Sequence, residues 1–332
     1  MIKMIEESEV SSIIGGNPHL LKSWVGESFR HQHAGTIIQP QKTYLQISNN
    51  PYDRAIALPA YVRGDDPVAG IKWIGSHSEN ISRGLERASA VIILNDPTTM
   101  HPVAVMEGSL ISSMRTCAVS MLMLDKFTDT NETLTVGIIG MGKLGKLHAK
   151  FLGDMYEQVD TVLCYSKTAP LEDVLHYPKV RAAQNLGSLL TAADVIITAT
   201  NARLPYILPE HISAKTRLIV NLSLMDFSLD VMMGSKHLIV DDWEQNTKAK
   251  KVFRDGVDSR IIIRSMVEEI GEVLFGPNKP RDGRVFVNPL GMGIEDVVVA
   301  KRIYDIVMEP SLHPSPPIGR FHKQDADRNT PS

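Results

Sequence analysis

The sequence is short of cysteine, of net charge and of long apolar runs. Its two cysteines, Cys117 and Cys164, form no spaced motif, which argues against a disulfide framework and favours a reducing compartment. A net charge of −3 gives no electrostatic basis for binding nucleic acid or an anionic membrane. No apolar run approaches the roughly 20 residues of a membrane span. The acidic amino terminus lacks the apolar core of a signal peptide, so we expect a cytoplasmic protein.

The strongest motif lies in residues 134–158, LTVGIIGMGKLGKLHAKFLGDMYEQ. The run 134–139 is short and apolar, which is typical of a buried parallel strand. Gly140, Gly142 and Gly145 follow with G-x-G-x-x-G spacing at the start of a helical pattern, the strand–turn–helix context of a dinucleotide fingerprint. A helix that begins there offers free amides and a positive dipole end to a pyrophosphate. We therefore predict a nicotinamide dinucleotide site that includes Gly140, Met141, Gly142, Lys143, Leu144 and Gly145.

The second predicted strand, residues 159–165, leaves the choice between NAD and NADP open. An acidic residue that binds the ribose is expected at its end, but the chain continues with Ser166 and Lys167. These two residues would also suit a 2′-phosphate. We predict both as cofactor-binding residues.

The two halves of the chain differ in pattern. Residues 36–95 carry short β-like runs separated by turns, which favours antiparallel pairing, and 103–127 is helical in period. After the fingerprint, strands predicted at 194–199, 217–221 and 237–241 alternate with short helical patterns, which indicates a doubly wound sheet. The fold class is therefore α/β, with a Rossmann-type parallel sheet and an α+β domain for substrate binding and dimerisation. We expect this second domain to comprise 1–117 with 300–332, and the Rossmann domain 118–299.

Several segments are predicted to have no functional role. His31 and His33 lie two residues apart, which does not place two ligands on one helix face, so no metal site is predicted. The basic group Lys248, Lys250 and Lys251 is expected to form an exposed helix face. The tail from Pro310 has few core-forming residues and is expected to be loosely held.

Several ordered blocks of sequence resemble the ornithine cyclodeaminase/μ-crystallin family. They are GIKWIGSHSEN at 70–80, VIILNDPTTMHPVAVMEGSLISSMRTCAVS at 91–120, the fingerprint, VNLSLMD at 220–226, VDDW at 240–243 and NPLGMGIEDV at 288–297. The resemblance runs from about residue 36 to 308. It implies an NAD(P)-dependent enzyme, a homodimer formed through the sheet of the first domain, and a C-terminal helix that returns to that domain.

The resemblance also implies roles for individual residues. Lys72 and Arg115 match residues that hold the substrate carboxylate, Arg54 lies where another carboxylate-binding arginine is expected, and Asp226 matches the catalytic acid. We place Lys72 in the catalytic centre as well. The segment 288–293 matches the loop beside the nicotinamide, so the cofactor site is extended to Thr200, Asn201, Asn288 and Gly291.

The residues themselves also favour an acidic substrate. Arg54, Lys72, Arg87 and Arg115 lie within or beside apolar segments, where a lone charge is costly, and arginine suits bidentate binding of carboxylates. Ordinary surface salt bridges are the alternative for each of them.

Within the family, the blocks at 72–75, 85–89 and 111–116 are closest to a branch of NAD-dependent dehydrogenases. That branch cleaves a glutamate-derived secondary amine to 2,3-diaminopropionate and 2-oxoglutarate for siderophore and antibiotic pathways. Two alternatives stay open. One is another enzyme of the family, an ornithine or lysine cyclodeaminase or an imine reductase. The other is a ligand-binding protein of μ-crystallin type that uses NADPH without catalysis.

Overall fold

A computed structural model of the chain describes residues 1–50, 52–129, 131–249, 251–277 and 282–309. Lys250 and the tail from Pro310, for which an exposed face and a loosely held segment were predicted, lie outside the described residues. Within the described ranges, no helix combines the length and the apolar character needed to span a bilayer.

The first half of the chain forms a seven-stranded sheet. Its strands are β1 (Lys3–Ile5), β2 (Ile37–Ile38), β3 (Thr43–Gln46), β4 (Arg54–Val62), β5 (Val68–Ser76), β6 (Ala88–Asn95) and β7 (Pro102–Glu107). They run in the order β1-β7-β6-β5-β4-β2, and β3 also pairs with β4. β1 lies parallel to β7, and the other pairs are antiparallel. The antiparallel pairing predicted for residues 36–95 is thus confirmed.

The prediction of a helix over 103–127 is wrong at its start, because residues 102–107 belong to β7. Ala104 and Met106 point into the core while Val103 and Val105 are half-buried, the two-residue alternation of a strand. The helix α3 (Ser109–Phe127) begins only after Gly108. The carboxylate of Glu107 accepts hydrogen bonds from the amides of Ser109 (2.5 Å) and Leu110 (2.9 Å). Two amides of the first helical turn, which have no partner within the helix, are thus hydrogen-bonded.

Four helices pack on one face of this sheet and around its edge. They are α1 (Glu7–Ile14), α2 (Pro18–His33), α3 and α10 (Gly293–Met308). Helix α2 is capped by Asn17, whose side chain accepts a hydrogen bond from the amide of Leu20 at 3.1 Å. Helix α10 lies directly against β4 and β5: a Cβ on Gly293 would be 2.7 Å from the carbonyl oxygen of Leu58. This contact brings the carboxyl-terminal part of the described chain onto the first sheet.

The second half forms an eight-stranded parallel sheet. Its strands are β8 (Leu134–Ile139), β9 (Val159–Tyr165), β10 (Val180–Ala182), β11 (Val195–Thr198), β12 (Leu218–Asn221), β13 (His237–Val240), β14 (Val267–Glu269) and β15 (Val285–Asn288). The order is β10-β9-β8-β11-β12-β15-β13-β14. Strands β11, β12 and β15 are buried along their whole length, as expected for a sheet covered on both faces.

Short helices cover this sheet. They are α4 (Lys143–Met155), α5 (Leu186–Ala192), α6 (Leu229–Met233), α7 (Trp243–Lys248), α8 (Val252–Asp258) and α9 (Ile270–Phe275). The chain passes from β8 to β9 on one side and later to β11 on the other side of β8. Such a change of direction opens a crevice at the carboxyl ends of the strands, where open α/β sheets bind ligands. The predicted domain limits stay a prediction.

Candidate active site

The predicted glycine turn lies at the carboxyl end of β8. Gly140 has φ +96°, and a Cβ on it would lie 2.6 Å from the carbonyl oxygen of Ala199. A Cβ on Gly145 would lie 1.9 Å from the carbonyl oxygen of Gly140, so only glycine lets α4 start this close to the strand. A Cβ on Gly142, by contrast, would meet nothing within 4 Å. The open space therefore lies in front of Gly142 and the first turn of α4, and these residues fit a bound pyrophosphate.

The other residues predicted around this turn have different surroundings. Met141 is buried, Leu144 is half-buried, and Lys143 is exposed with its Nζ 3.9 Å from a carboxylate oxygen of Glu86 in the first half of the chain. After β9, the hydroxyl of Ser166 accepts a hydrogen bond from the amide of Ala169 at 2.9 Å, while Lys167 is exposed. Ser166 therefore stabilises its own turn, and Lys167 is the residue with a side chain free to reach a nucleotide.

Asp226 lies buried beside the same crevice. Its Oδ1 accepts hydrogen bonds from the hydroxyls of Thr200 and Tyr206, each at 2.6 Å. Its Oδ2 is buried and has no hydrogen-bond partner within the described residues. The carboxylate is thus held by one oxygen and offers the other to a ligand or a water molecule. Burial and the negative charge of Asp226 raise the pKa of Tyr206 well above its usual range, so the tyrosine stays a proton donor.

Lys72 and Arg115 meet in a second cluster, on the face of the first sheet that α10 covers. Lys72 Nζ lies 2.5 Å from Asp296 Oδ2 and 3.0 Å from the hydroxyl of Ser112. Arg115 donates to Glu295 at 2.8 Å and to Asp296 at 3.2 Å. The side chains of Lys72 and Arg115 are only 2% and 8% exposed. The structure brings these two predicted cations together and pairs both of them with carboxylates of α10.

Two further charges complete this inner charge cluster, which consists of Lys42, Lys72, Arg115, Asp241, Glu295 and Asp296. Lys42 Nζ donates to the carbonyl oxygen of Leu290 at 3.3 Å and is attracted by Asp241. Burial lowers the pKa of Lys42 and of Lys72 to about 8, against the attraction of the carboxylates. Burial alone would lower the pKa of Arg115, but Asp296 and Glu295 outweigh it and raise that pKa. Mutual pairing offsets the cost of burying these charges.

Gly291 packs closely on the guanidinium group of Arg115. A Cβ at Gly291, where φ is +85°, would lie 2.6 Å from Arg115 Nη2. The amide of Gly291 donates to Asp241, which fixes the loop above the guanidinium. Arg115 uses Nε and Nη1 on α10, and Nη2 has no hydrogen-bond partner among the described residues, so its hydrogens are available to a ligand carboxylate.

Asn288 belongs to a buried chain of hydrogen bonds across the strand ends. The Thr198 hydroxyl donates to Asn221 (3.0 Å), Asn221 donates to Asn288 (2.8 Å), and Asn288 donates to Asn246 (3.0 Å). Asn246 in turn donates to Asp241 at 2.8 Å. The chain ties the carboxyl ends of β11, β12, β15 and β13 together. Asn288 therefore orders the floor of the crevice. Asn201 lies exposed at the rim.

A third group of charges lies at the mouth of the cleft, and we call Arg54, Arg87, Arg203 and Lys251 the outer cations. Arg54 lies 5.0 Å from the Tyr44 ring, whereas Lys251 and Arg203 share the ring of Tyr52 at 5.3 and 5.7 Å. Desolvation by the surrounding protein lowers the pKa of Arg87, and the charge of Arg54 lowers it further. Burial, followed by the charge of Arg54, lowers the pKa of Lys251, and Asp226 opposes this change. Arg54 and Arg87 thus lie together, apart from the inner charge cluster.

The prediction that Lys248 and Lys251 share an exposed face is wrong for Lys251. The Lys248 side chain is 58% exposed and pairs with Glu244, as expected for a solvated helix. Lys251 is half-buried and lies beside Tyr52, because it precedes Val252 and Phe253, which are both buried and draw this residue toward the protein.

Glu295 and Asp296 were also missed. Two acids inside the apolar run GIEDVVVA were the available signal.

Comparison with known proteins agrees with this fold. The model of the ornithine cyclodeaminase/mu-crystallin family matches residues 4–311. The chain is 32% identical to N-((2S)-2-amino-2-carboxyethyl)-L-glutamate dehydrogenase of Staphylococcus aureus, over 93% of this chain and 96% of that protein.

Two solved structures show the same fold. Δ(1)-pyrroline-2-carboxylate reductase of Thermococcus litoralis, solved with NADH and L-proline, superposes with a TM-score of 0.82 at 21% identity, covering 95% of this chain and all of that one. An archaeal alanine dehydrogenase dimer with bound NAD has a TM-score of 0.79 at 24% identity, covering 94% and 98%. These matches confirm the predicted family, the predicted α/β fold class and the predicted class of NAD(P)-dependent oxidoreductases.

Proposed function

Because the chain belongs to the ornithine cyclodeaminase/mu-crystallin family, we propose that it cleaves N-((2S)-2-amino-2-carboxyethyl)-L-glutamate with NAD⁺. The reaction consumes one water and yields 2-oxoglutarate, L-2,3-diaminopropionate, NADH and a proton. The similarity to the dehydrogenase of S. aureus supports this choice. The structural observation that carries it is the pair Arg54 and Arg87, neither of which has a carboxylate partner among the described residues. Their charges and that of the buried Asp226 all act on Lys251. A substrate with three carboxylates suits such a cleft.

The inner charge cluster would hold the α-carboxylate of the glutamate half. Nη2 of Arg115 has no hydrogen-bond partner among the described residues, since Nε and Nη1 make the bonds to α10, and Lys72 contributes a third ammonium hydrogen beyond those used by Asp296 and Ser112. Because Glu295 and Asp296 hold both cations from α10, the cations need no rearrangement when the carboxylate binds. Arg54 and Arg87 would bind a second carboxylate nearer the solvent.

The chemistry begins at the Cα of the glutamate half. The residues of the glycine turn would hold the dinucleotide, which when bound would supply the two-electron oxidation of that carbon. The substrate then contains a C=N bond that water must attack. Asp226 is suited to accept the proton of that water, because Oδ2 is unpartnered while Oδ1 is fixed by Thr200 and Tyr206. The same carboxyl returns the proton as the C–N bond breaks, and Lys72, with its pKa near 8, can assist.

NAD is the proposed cofactor, and NADP stays the alternative. The structures with similar folds contain NADH and NAD. The hydroxyl of Ser166 already accepts a hydrogen bond from the backbone of its own turn. A 2′-phosphate would thus find one exposed cation, Lys167, at the end of β9. Comparing kcat/KM for the two cofactors would decide this point.

Assembly, location and pathway are proposed as well. The outer face of the first sheet carries exposed apolar side chains, among them Trp73 and Val91 at 41% each and Leu45 at 54%. Trp73 and Val91 are direct partners across β5 and β6, and Leu45 lies on the same face two strands away, opposite Ala55. A patch of this kind suits a homodimer. We place the dimer in the cytoplasm, where it would supply diaminopropionate to a siderophore or antibiotic pathway.

The test is incubation of the purified protein with the proposed substrate and NAD⁺. We expect NADH absorbance to rise in step with 2-oxoglutarate and diaminopropionate, both identified by mass spectrometry. Parallel incubations contain ornithine or lysine with NAD⁺, or pyrroline-2-carboxylate with NADH or NADPH. Proline formed from ornithine without net NADH would identify a cyclodeaminase instead, and tight nucleotide binding without turnover of any of these compounds would identify a binding protein.

A further inference from the structure

The outer cations differ from the inner charge cluster in their lack of counter-charges. In the inner cluster every cation lies beside a carboxylate. Three of the outer cations, Arg54, Arg203 and Lys251, lie over aromatic rings, and Arg87 interacts electrostatically with Arg54. In the part of the chain that the structure describes, no ion pair joins any of the four to a carboxylate. Four like charges gathered at one cleft repel one another. An anionic ligand would relieve that repulsion.

Tyr52, which two of these cations share, is held in a fixed position. Its neighbour Asp53 is 6% exposed and accepts hydrogen bonds from the amide and hydroxyl of Ser78, both at 2.8 Å, and from Ser48 at 3.0 Å. The Tyr52 carbonyl accepts a bond from Ser76 at 2.7 Å. The backbone that carries the ring is therefore fixed by these hydrogen bonds.

The outer cations come from both halves of the chain. Arg54 begins β4 and Arg87 precedes β6 in the first sheet. Arg203 belongs to the segment between Thr200 and Tyr206, the two residues that hold Asp226, and Lys251 caps α8 in the second half. A ligand bound here would contact both halves and the loop that positions the proposed base.

We propose that the outer cations and Tyr52 form a specificity subsite for the γ-carboxylate of the glutamate half of the substrate. This inference deepens the proposed function and rests on it for the identity of the ligand. The γ-carboxylate lies three bonds from the Cα that reacts, so it extends from the Asp226 region toward the mouth. Lys251, whose ammonium group is attracted by the carboxylate of Asp226, lies on that path. The same charges would repel the side-chain ammonium of ornithine or lysine, which gives selection against cationic substrates.

The first test uses the double variant Lys251→Met/Arg203→Met in the full-length protein. We expect KM for the proposed substrate to rise roughly tenfold to hundredfold, as lost charge-assisted contacts would cause, while KM for NAD⁺ is unchanged. Lys248→Met is the matched control, because Lys248 is 58% exposed and pairs with Glu244. An analogue in which 2-aminobutyrate replaces the glutamate half lacks the γ-carboxylate, and its KM should be the same in wild type and variant. Equal losses for substrate and analogue, or no loss for either, would overturn the subsite.

A second measurement separates this inference from the proposed function. Isothermal titration calorimetry of glutarate against the NADH complex reports dicarboxylate binding without turnover. Binding that disappears in the double variant supports the subsite even if the wild type fails to oxidise the proposed substrate. Turnover of that substrate together with glutarate binding unaffected by the two substitutions leaves the function standing and rejects the subsite.

Discussion

The hydroxyl of Tyr206 donates a hydrogen bond to Asp226 Oδ1 at 2.6 Å, on the same oxygen that accepts from Thr200. Both donors converge on one oxygen, and the other oxygen is buried without a partner among the described residues. A carboxylate that had only a structural role would be expected to use both oxygens. The asymmetry supports a role for Oδ2 in handling a proton.

Asp226→Asn should abolish most turnover, with kcat falling about 10²- to 10⁴-fold, because an amide cannot accept the proton of the attacking water. The dissociation constant for NADH, measured by fluorescence titration, should change little, since asparagine has nearly the size of aspartate and its amide oxygen can still accept the hydrogen bonds from Thr200 and Tyr206. Asp230→Asn, on the exposed side of α6, is the control and should be fully active. Near-normal kcat in the Asp226 variant would remove this residue from the catalytic step.

Tyr206→Phe should lower kcat by roughly tenfold and leave KM within about twofold. The substitution removes one of the two hydrogen bonds on Oδ1, and a bond to a charged group is worth about 1.5–3 kcal/mol, part of which Thr200 retains. Steady-state kinetics with Thr200→Val and the double variant would measure the coupling between the two donors. Additive effects would show that they position the carboxylate independently.

Gly142→Ala should weaken nucleotide binding and leave the stability of the fold unchanged. A Cβ there meets nothing within 4 Å and φ is −73°, so the melting temperature should match that of wild type. If a pyrophosphate lies against this turn, the same methyl group should weaken NAD⁺ binding at least tenfold in a fluorescence titration. Gly16→Ala, at another open glycine, is the control with unchanged binding. A Gly142 variant with normal affinity would place the pyrophosphate elsewhere.

The glycine turn also shows how far local sequence predicts this protein. The strand, the glycines and the start of α4 lie within one continuous segment, so their spacing alone predicts the turn. Strand β15 pairs between β12 and β13, although its residues follow β12 by more than 60 positions in the sequence. Periodicity contains no information about such a partner, and the strands β10, β14 and β15 were not predicted.

The same limit applies to the candidate site. Resemblance pointed to Lys72 and Arg115, but their partners Glu295 and Asp296 lie on a helix at the other end of the described chain. Lys251 was interpreted from its basic neighbours, although its position is decided by how α8 packs. The sequence shows which residues are charged, but tertiary packing decides which of them lie in contact.

The activity should fall as the pH rises through about 8, because Lys72 must be protonated to hold a carboxylate. Burial lowers the pKa of this lysine to about 8, so above that pH the folded enzyme loses the charge while an exposed lysine would keep it until about 10.4. The fall should be seen in kcat/KM for the amino-acid substrate. Lys72→Arg should be less active but should lose this fall, since a guanidinium stays charged. Lys42 has a similarly lowered pKa, so a fall that disappears in Lys42→Arg and persists in Lys72→Arg would assign it to Lys42.

Trp73→Glu should convert the proposed dimer into a monomer. Trp73 is 41% exposed and lies opposite Val91 across β5 and β6, and a carboxylate at the centre of an apolar contact would be buried without a partner. Light scattering after size exclusion should give half the wild-type mass, with far-UV circular dichroism unchanged because the side chain points away from the core. Leu175→Glu, at an equally exposed apolar position of the second half, should keep the wild-type mass. A Trp73 variant that remains dimeric would move the interface away from this face, and loss of activity in a monomeric variant would show that the cleft depends on the partner subunit.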